Sequence, residues 1–370
     1  MKTQAAVVYE PGKPIEIEEL TLDKPQAGEV LIRYTHAGLC HSDVHIAHGD
    51  LEARLPMVLG HEGAGVIEEV GPGVTRVKVG DHVVCSFIPN CGSCRYCANG
   101  QQSICDMGAT ILEGYLPGER FPITGPKGDY GAMCMLGTFS QYGVIHQNSC
   151  VPVDDDLPLE KAVLVGCGVP TGWGSAVNTA DVKAGQTVVV IGVGGIGINA
   201  VQGAALSGAK NVIAVDPLAN KREKAMELGA THAFASAGEA METITNLTRG
   251  QMADSAILTT GLLTSEHVGD GFNAVGKGGV VVLTGLNKLD EVNVQLPGSV
   301  MTLFRKQLRG SLFGDCNPTT DIPRILGLYQ SGDIKLDEII TKTYTLDQVN
   351  EGYDDLLSGA NVRGVVVHQH

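Results

Sequence analysis

Four cysteines, Cys91, Cys94, Cys97 and Cys105, fall within the fifteen residues CGSCRYCANGQQSIC. A C-x2-C-x2-C run followed by a fourth thiol is a metal-ligand spacing. Four thiolates leave no open coordination position, so the chemistry is that of a structural zinc that ties a loop down. An iron–sulfur cluster is the competing reading. Bacterial ferredoxins use tighter spacing before the fourth cysteine and usually a following proline, whereas Asp106 follows here, and the pattern favours zinc. A disulfide framework needs an oxidising compartment. The opening MKTQAAVVYEPGK has no apolar signal core, so a cytoplasmic address with reduced thiols is expected.

A second constellation is Gly192-Val193-Gly194-Gly195-Ile196-Gly197. With 49 glycines in 370 residues, such a match is weak on its own. Its context strengthens it: TVVVIG reads as a buried strand, INAVQGAALSGAK as a helix, and the next strand ends in Asp216, nineteen residues after Gly197. That is the dinucleotide fingerprint. Gly192 and Gly194 let the backbone turn and approach a pyrophosphate at the positive end of the helix, and Gly197 lets the helix pack closely. Asp216 can accept hydrogen bonds from ribose hydroxyls and would repel a 2′-phosphate, which favours NAD over NADP. Lys221 can reach the adenosine ribose or simply face solvent. A strand, turn and helix without a ligand is the bland alternative for the whole segment.

Three more residues have ligand chemistry: Cys40 in GLCHSDVHIAHG, His61 in LGHEGAG and Cys167 in LVGCGVPTGWG. Taken singly, each reads as a buried thiol or a satisfied buried histidine. Spacing alone cannot bring them together.

The elements that must position these groups change character along the chain. Up to about residue 150, stretches such as GEVLIRYTHAG and GAGVIEEVGPGVTRVKVGDHVVCSF are β-branched and punctuated by Gly and Pro, which predicts a β-rich domain, a partly open barrel. From Lys183, strands alternate with helices, the pattern of a parallel sheet covered on both faces. After about residue 312 the alternation loosens into two helices, around IPRILGLYQSG and LDQVNEGYDDLLSG, and a closing strand, RGVVVH. Ala184–Ala209 holds no charged residue, but seven glycines with Asn199 and Gln202 make it a strand, turn and buried helix rather than a membrane span. The net charge of −15 and the lack of basic runs exclude a nucleic-acid partner.

The segments GLCHSDVH, GHEGAGVIEEVGPGV, CGSCRYCANGQQSIC, GCGVPTGWGSAV and VIGVGGIG occur in this order in the zinc-dependent, medium-chain alcohol dehydrogenases, and the chain resembles that family end to end. The resemblance implies an α/β protein with a GroES-like β-rich catalytic domain over 1–168 and 313–370. A Rossmann domain, a doubly wound parallel sheet that binds NAD(H), would cover 169–312. It implies two zinc ions per subunit, the catalytic one held by Cys40, His61 and Cys167. Asp43 and Glu62 match the carboxylates behind the ligands. Ser42 matches the hydroxyl that takes the alcohol proton, and His45 the imidazole that passes it to solvent. Thr171 would lie by the nicotinamide, and His41 and Arg363 at the pyrophosphate, where liver-type relatives carry arginine in place of His41.

The activity implied is oxidation of a small primary alcohol to an aldehyde, through Lewis-acid activation and hydride transfer to NAD. Within the family the chain looks like the actinobacterial nicotinoprotein branch, in which the cofactor stays bound and a nitroso dye can recycle it. The resemblance suggests a homodimer, with a tetramer as the other assembly. A thiol-dependent formaldehyde dehydrogenase is the runner-up, and it would need a cationic anchor such as Arg120 in the pocket. A non-enzymatic relative keeping only the fold would have no chemical need for Cys40, Ser42, His45, His61 and Cys167. Cys85, Cys134, Cys150 and Cys316 match no ligand position, and the segment 106–135 is expected to shape the pocket or the subunit surface.

Overall fold

The computed structural model describes residues 1–289 and 291–370. The chain divides into two compact units, Met1–Cys167 with Asn317–His370, and Gly168–Cys316. The joins expected from sequence were at 168/169 and 312/313. The second unit extends past 312 because Gly314 and Cys316 remain bonded to it. Gly314 O accepts from Asn178 Nδ2 at 3.0 Å, and Cys316 Sγ lies 3.6 Å from Pro170 O.

The first unit begins with ten strands: β1 (Lys2–Val8), β2 (Glu16–Leu22), β3 (Glu29–Gly38), β4 (Met57–Val58), β5 (Glu62–Val70), β6 (His82–Cys85), β7 (Ile123–Gly125), β8 (Gly128–Ala132), β9 (Tyr142–His146) and β10 (Cys150–Pro152). In place of one partly open barrel there are two sheets. β1, β2, β7, β8 and β4 form a closed barrel, because the parallel pairing of β4 with β8 joins its last two edges. Its interior is filled by Ala5, Val7, Leu20, Leu22, Val58, Ile123 and Tyr130. Part of the 106–135 segment is therefore barrel wall, with β7 and β8 supplied by it.

The second unit contributes β11 (Thr187–Ile191), β12 (Asn211–Val215), β13 (His232–Phe234), β14 (Ala253–Leu258), β15 (Val275–Leu283) and β16 (Gln307–Gly310). They lie in the order β13-β12-β11-β14-β15-β16, all parallel. This is the Rossmann order, with the crevice between β11 and β14 where the strand order reverses. TVVVI and NVIAV are buried at every residue, the continuous apolar runs that a sheet covered on both faces requires.

The C-terminal segment returns to the first unit with β17 (Ile340–Tyr344) and β18 (Arg363–Val367). β18 pairs antiparallel with β3 and completes a seven-stranded sheet, β10-β6-β5-β3-β18-β17 with β9 also on β3. No described helix is long and apolar enough to cross a membrane.

Candidate active site

The seven-stranded sheet explains how Cys40 and His61 meet. β3 ends at Gly38, two residues before Cys40, and β5 begins at Glu62, the residue after His61; Gly38 and Glu62 are register partners. Cys167 arrives from the other side. Gly63 pairs with Cys85 on β6, and Gly166 packs so closely there that a Cβ would fall 2.5 Å from Cys85 O. One ligand atom from each of Cys40, His61, Glu62 and Cys167 lies within 4.8 Å of the others, and all four residues are buried.

Asp43 serves both the fold and this centre. Cys40 caps the helix His41–His48, and Asp43, three residues on, accepts a hydrogen bond from the Cys40 N–H at 3.2 Å, closing a capping box. The same carboxylate accepts from Gly60 N at 3.1 Å and from His61 Nδ1 at 3.0 Å. An ionised carboxylate only accepts, so Nδ1 carries the proton and Nε2 presents a lone pair. His61 Nε2 is buried and makes no hydrogen bond. Arg363, on β18, donates through Nη2 to Glu62 Oε2, both side chains being buried.

The electrostatics show a centre short of positive charge. The Cys40 thiol is held well below its usual range, first by the hydrogen bond from Cys167 and then by His61. Cys167 is pushed up by that same bond. Burial opposes protonation of His61, but Asp43 and the two sulfurs outweigh it and raise its pKa, so that a proton and a metal cation compete for the Nε2 lone pair. Burial lifts the Glu62 carboxyl to about 7 despite Arg363. Two thiols, an imidazole lone pair without a partner and crowded negative charge are the donor set of a divalent cation that accepts sulfur and nitrogen, and zinc fits.

The second cluster is built differently. One Sγ from each of Cys91, Cys94, Cys97 and Cys105 also lies within 4.8 Å of the others, and Cys91 and Cys94 are half-exposed. Backbone amides aim at the sulfurs: Cys91 N at Cys105 Sγ (3.4 Å), Cys94 N at Cys91 Sγ (3.3 Å) and Cys97 N at Cys94 Sγ (3.4 Å). Burial opposes ionisation of Cys91, yet the N–H groups of Ser93 and Cys94 outweigh it and hold it at about 6. This too fits zinc, with every position filled by thiolate.

Residues 26–155 match the alcohol dehydrogenase GroES-like domain, and residues 195–331 match the zinc-binding dehydrogenase domain. A protein from Amycolatopsis methanolica named NDMA-dependent alcohol dehydrogenase is 64% identical over 100% of this chain and 99% of its own. The chain belongs to the zinc-binding alcohol dehydrogenase family. Among solved structures, an alcohol dehydrogenase zinc-binding domain protein from Burkholderia ambifaria superposes with a TM-score of 0.93 at 32% identity, covering 100% of both chains. Benzyl alcohol dehydrogenase from Acinetobacter calcoaceticus gives 0.92 at 29%, again over 100% of both. The protein is therefore an oxidoreductase of this family, with donors for zinc at two centres.

The other expected residues fall into two groups. Near the buried cluster, Ser42 is half-buried with Oγ 3.8 Å from Cys40 Sγ, and His45 follows one turn later on the same helix. His45 Nδ1 bonds Asp50 Oδ2 at 3.1 Å; Asp50, just beyond the helix end at Gly49, had no sequence signal. His41 is the half-buried first residue of that helix. Arg363 is 3% exposed and committed through one nitrogen to Glu62, a pairing that sequence spacing across 301 residues could not show.

In the second unit, a Cβ on Gly197 would fall 1.9 Å from Gly192 O, so only glycine permits the turn to close onto the helix Gly197–Leu206. A Cβ on Gly194 would meet only Lys221 Nζ, at 3.8 Å, among the described residues, which leaves the cradle open to a phosphate. Val193 N donates to Asp216 Oδ2 at 2.9 Å and Leu218 N to Oδ1 at 3.0 Å. Asp216 thus holds the glycine turn as well as offering its remaining lone pairs to a ribose. Gly195 O and Ile196 O accept from the start of the helix, at Asn199 Nδ2 (2.9 Å) and Asn199 N (3.0 Å) respectively. Thr171 is 7% exposed on the helix Gly168–Gly174.

Proposed function

We propose that this dehydrogenase oxidises primary alcohols to aldehydes, reversibly, and keeps its NAD(H) bound through the cycle. The carrying observation is the buried trio Cys40, His61 and Cys167, with His61 Nε2 unpartnered and its Nδ1 fixed by Asp43. Zinc held by these three supplies Lewis-acid chemistry that makes an alcohol acidic near neutral pH. NAD in the glycine cradle supplies the hydride acceptor.

The chain's own residues handle the proton. Ser42 Oγ, beside Cys40 and half-buried, is placed to accept the hydroxyl proton of the substrate. His45 follows one turn later on the same helix, and its ring, oriented by the 3.1 Å contact of Nδ1 with Asp50 Oδ2, is the next proton carrier. Asp50, 26% exposed in its side chain, is the way out to water. Arg363 neutralises Glu62 behind the ligands.

Cofactor retention is supported by the Amycolatopsis relative, whose name declares dependence on NDMA. The thiol-adduct reading loses its candidate anchor: Arg120 is held by Glu29 at 2.9 Å, Asp23 at 3.3 Å and Lys24 O at 3.1 Å. A homodimer is supported by β16, the strand at the end of the parallel sheet, and by large apolar side chains left at the surface of the same unit: Leu289 is 78% exposed, Val292 81% and Leu303 77%.

The test is to supply a panel of primary alcohols with excess free NAD, and then with a nitroso-dye acceptor. Turnover only with the dye is expected. Steady NADH formation from free NAD would remove cofactor retention from the proposal. Silence under both conditions in protein with both zinc sites filled would overturn alcohol oxidation itself.

A further inference from the structure

Tyr353 stands on the helix Val349–Ser358, is 6% exposed, and has a hydroxyl that is buried without a hydrogen-bond partner. Its ring meets Phe139 edge-on, with centroids 6.1 Å apart. Phe139 in turn lies against Gly60, where a Cβ would fall 2.9 Å from Phe139 Cγ, and Gly60 N is a donor to Asp43. Burial pushes the Tyr353 phenol well above its usual range, and Asp43 is the foremost of the charges that add to it, ahead of Cys40 and Glu62.

A buried O–H with no acceptor is costly, and a carboxylate has room for about four donors. Among the described residues three reach Asp43, His61 Nδ1 and Gly60 N at Oδ1 and Cys40 N at Oδ2. We infer that Tyr353 is a positioning residue for the buried metal centre, its hydroxyl being the fourth donor to the carboxylate that aims His61. Rotation of either side chain, or one bridging water, would make the contact. The fourth donor fixes Asp43, Asp43 fixes the imidazole plane, and the imidazole holds the metal.

The inference rests on the zinc reading of this centre, and Tyr353→Phe tests it while keeping the ring that packs on Phe139. Zinc-loaded wild type and variant are placed in excess chelator, and the release of each zinc is timed alongside the thermal midpoint. One zinc should leave the variant several-fold faster, the cysteine-loop zinc should leave at the wild-type rate, and the midpoint should fall. If the hydroxyl is only an unsatisfied buried group, its removal would raise the midpoint and leave zinc release unchanged, and the inference is overturned. A wild type with no zinc to release from the buried centre overturns the zinc reading and this inference together. Two zincs with unaltered release overturn this inference alone.

Discussion

The two sulfur-rich centres of the first unit solve the same problem at different ranges of the chain. Cys91, Cys94, Cys97 and Cys105 need only a short loop, with amides at 3.3–3.4 Å from the sulfurs supplied by the loop's own backbone. Cys40, His61 and Cys167 need two strand pairings, a capping box and an arginine from the C-terminal strand. The local centre is half-exposed and supported by peptide N–H groups. The assembled centre is buried and supported by carboxylates, which orient a histidine and leave a nitrogen without a partner. A site that ties a loop can be local, whereas a site with an open position needs walls from several elements.

The largest expected effect separates the two. Cys167→Ser removes a thiolate that serine cannot replace as a soft ligand, and turnover should fall by on the order of 10³ or more. Zinc should drop by one per subunit while the loop cluster keeps its own. Cys97→Ser should do the reverse, releasing the loop zinc and lowering the thermal midpoint by about 10 °C, with turnover retained below that temperature. Metal analysis beside initial rates checks both. If either variant empties both centres, the two are one cooperative site and the contrast fails.

Asp43→Asn probes the support of the assembled centre alone. One amide oxygen can replace Oδ1 towards His61 and Gly60, but the amide NH2 then faces the Cys40 N–H, which Oδ2 accepts at 3.2 Å in the native protein. The clash opens the capping box, and the imidazole loses the charge that orients it. A loss of about 10–100-fold in zinc affinity or activity is expected. Unchanged metal retention and kcat would show that the helix start, not the carboxylate, positions Cys40 and His61.

The contrast between the centres also measures what the sequence made legible. The loop ligands were readable as a set because all their information lies in one stretch. The glycine turn was readable for the same reason, with Asp216 found by its fixed distance from Gly197. Cys40, His61 and Cys167 could be grouped only through family resemblance, since register between β3 and β5 is set by the whole sheet and leaves no mark at the ligands. The capping box from Cys40 to Asp43 was the one local signal available there, and cysteine at the cap obscured it. Arg363 with Glu62, Asp50 with His45, and the barrel strands β7 and β8 inside the 106–135 segment are tertiary facts. The edge strands β16 and β17 carry no comparable signal, because QLRG and ITKTY are short and largely exposed, without an apolar run.

The smallest effect tests whether the C-terminal strand belongs to the assembled region energetically. His368 follows β18; its Nε2 donates to Thr138 O at 2.9 Å, and its Nδ1 is buried without a partner. Thr138 in turn donates through Oγ1 to Glu62 O at 3.0 Å, so this histidine braces the strand that carries a supporting carboxylate. Burial, with smaller contributions from His370 and His36, lowers its pKa to about 4, and the ring is neutral in the folded state. The unfolded chain binds this proton from about pH 6.5 downward. The stability that neutral burial requires is therefore whole above pH 6.5 and is lost as pH falls towards 4, on the order of 3 kcal/mol in all. His368→Gln keeps a donor for Thr138 but cannot titrate. Denaturant unfolding of the two proteins should give curves that converge as pH falls across that window, with the wild type alone carrying the steeper slope. Parallel curves from pH 7 to 4 would mean that His368 is protonated without penalty, and that the C-terminal strand is only loosely coupled to the centre.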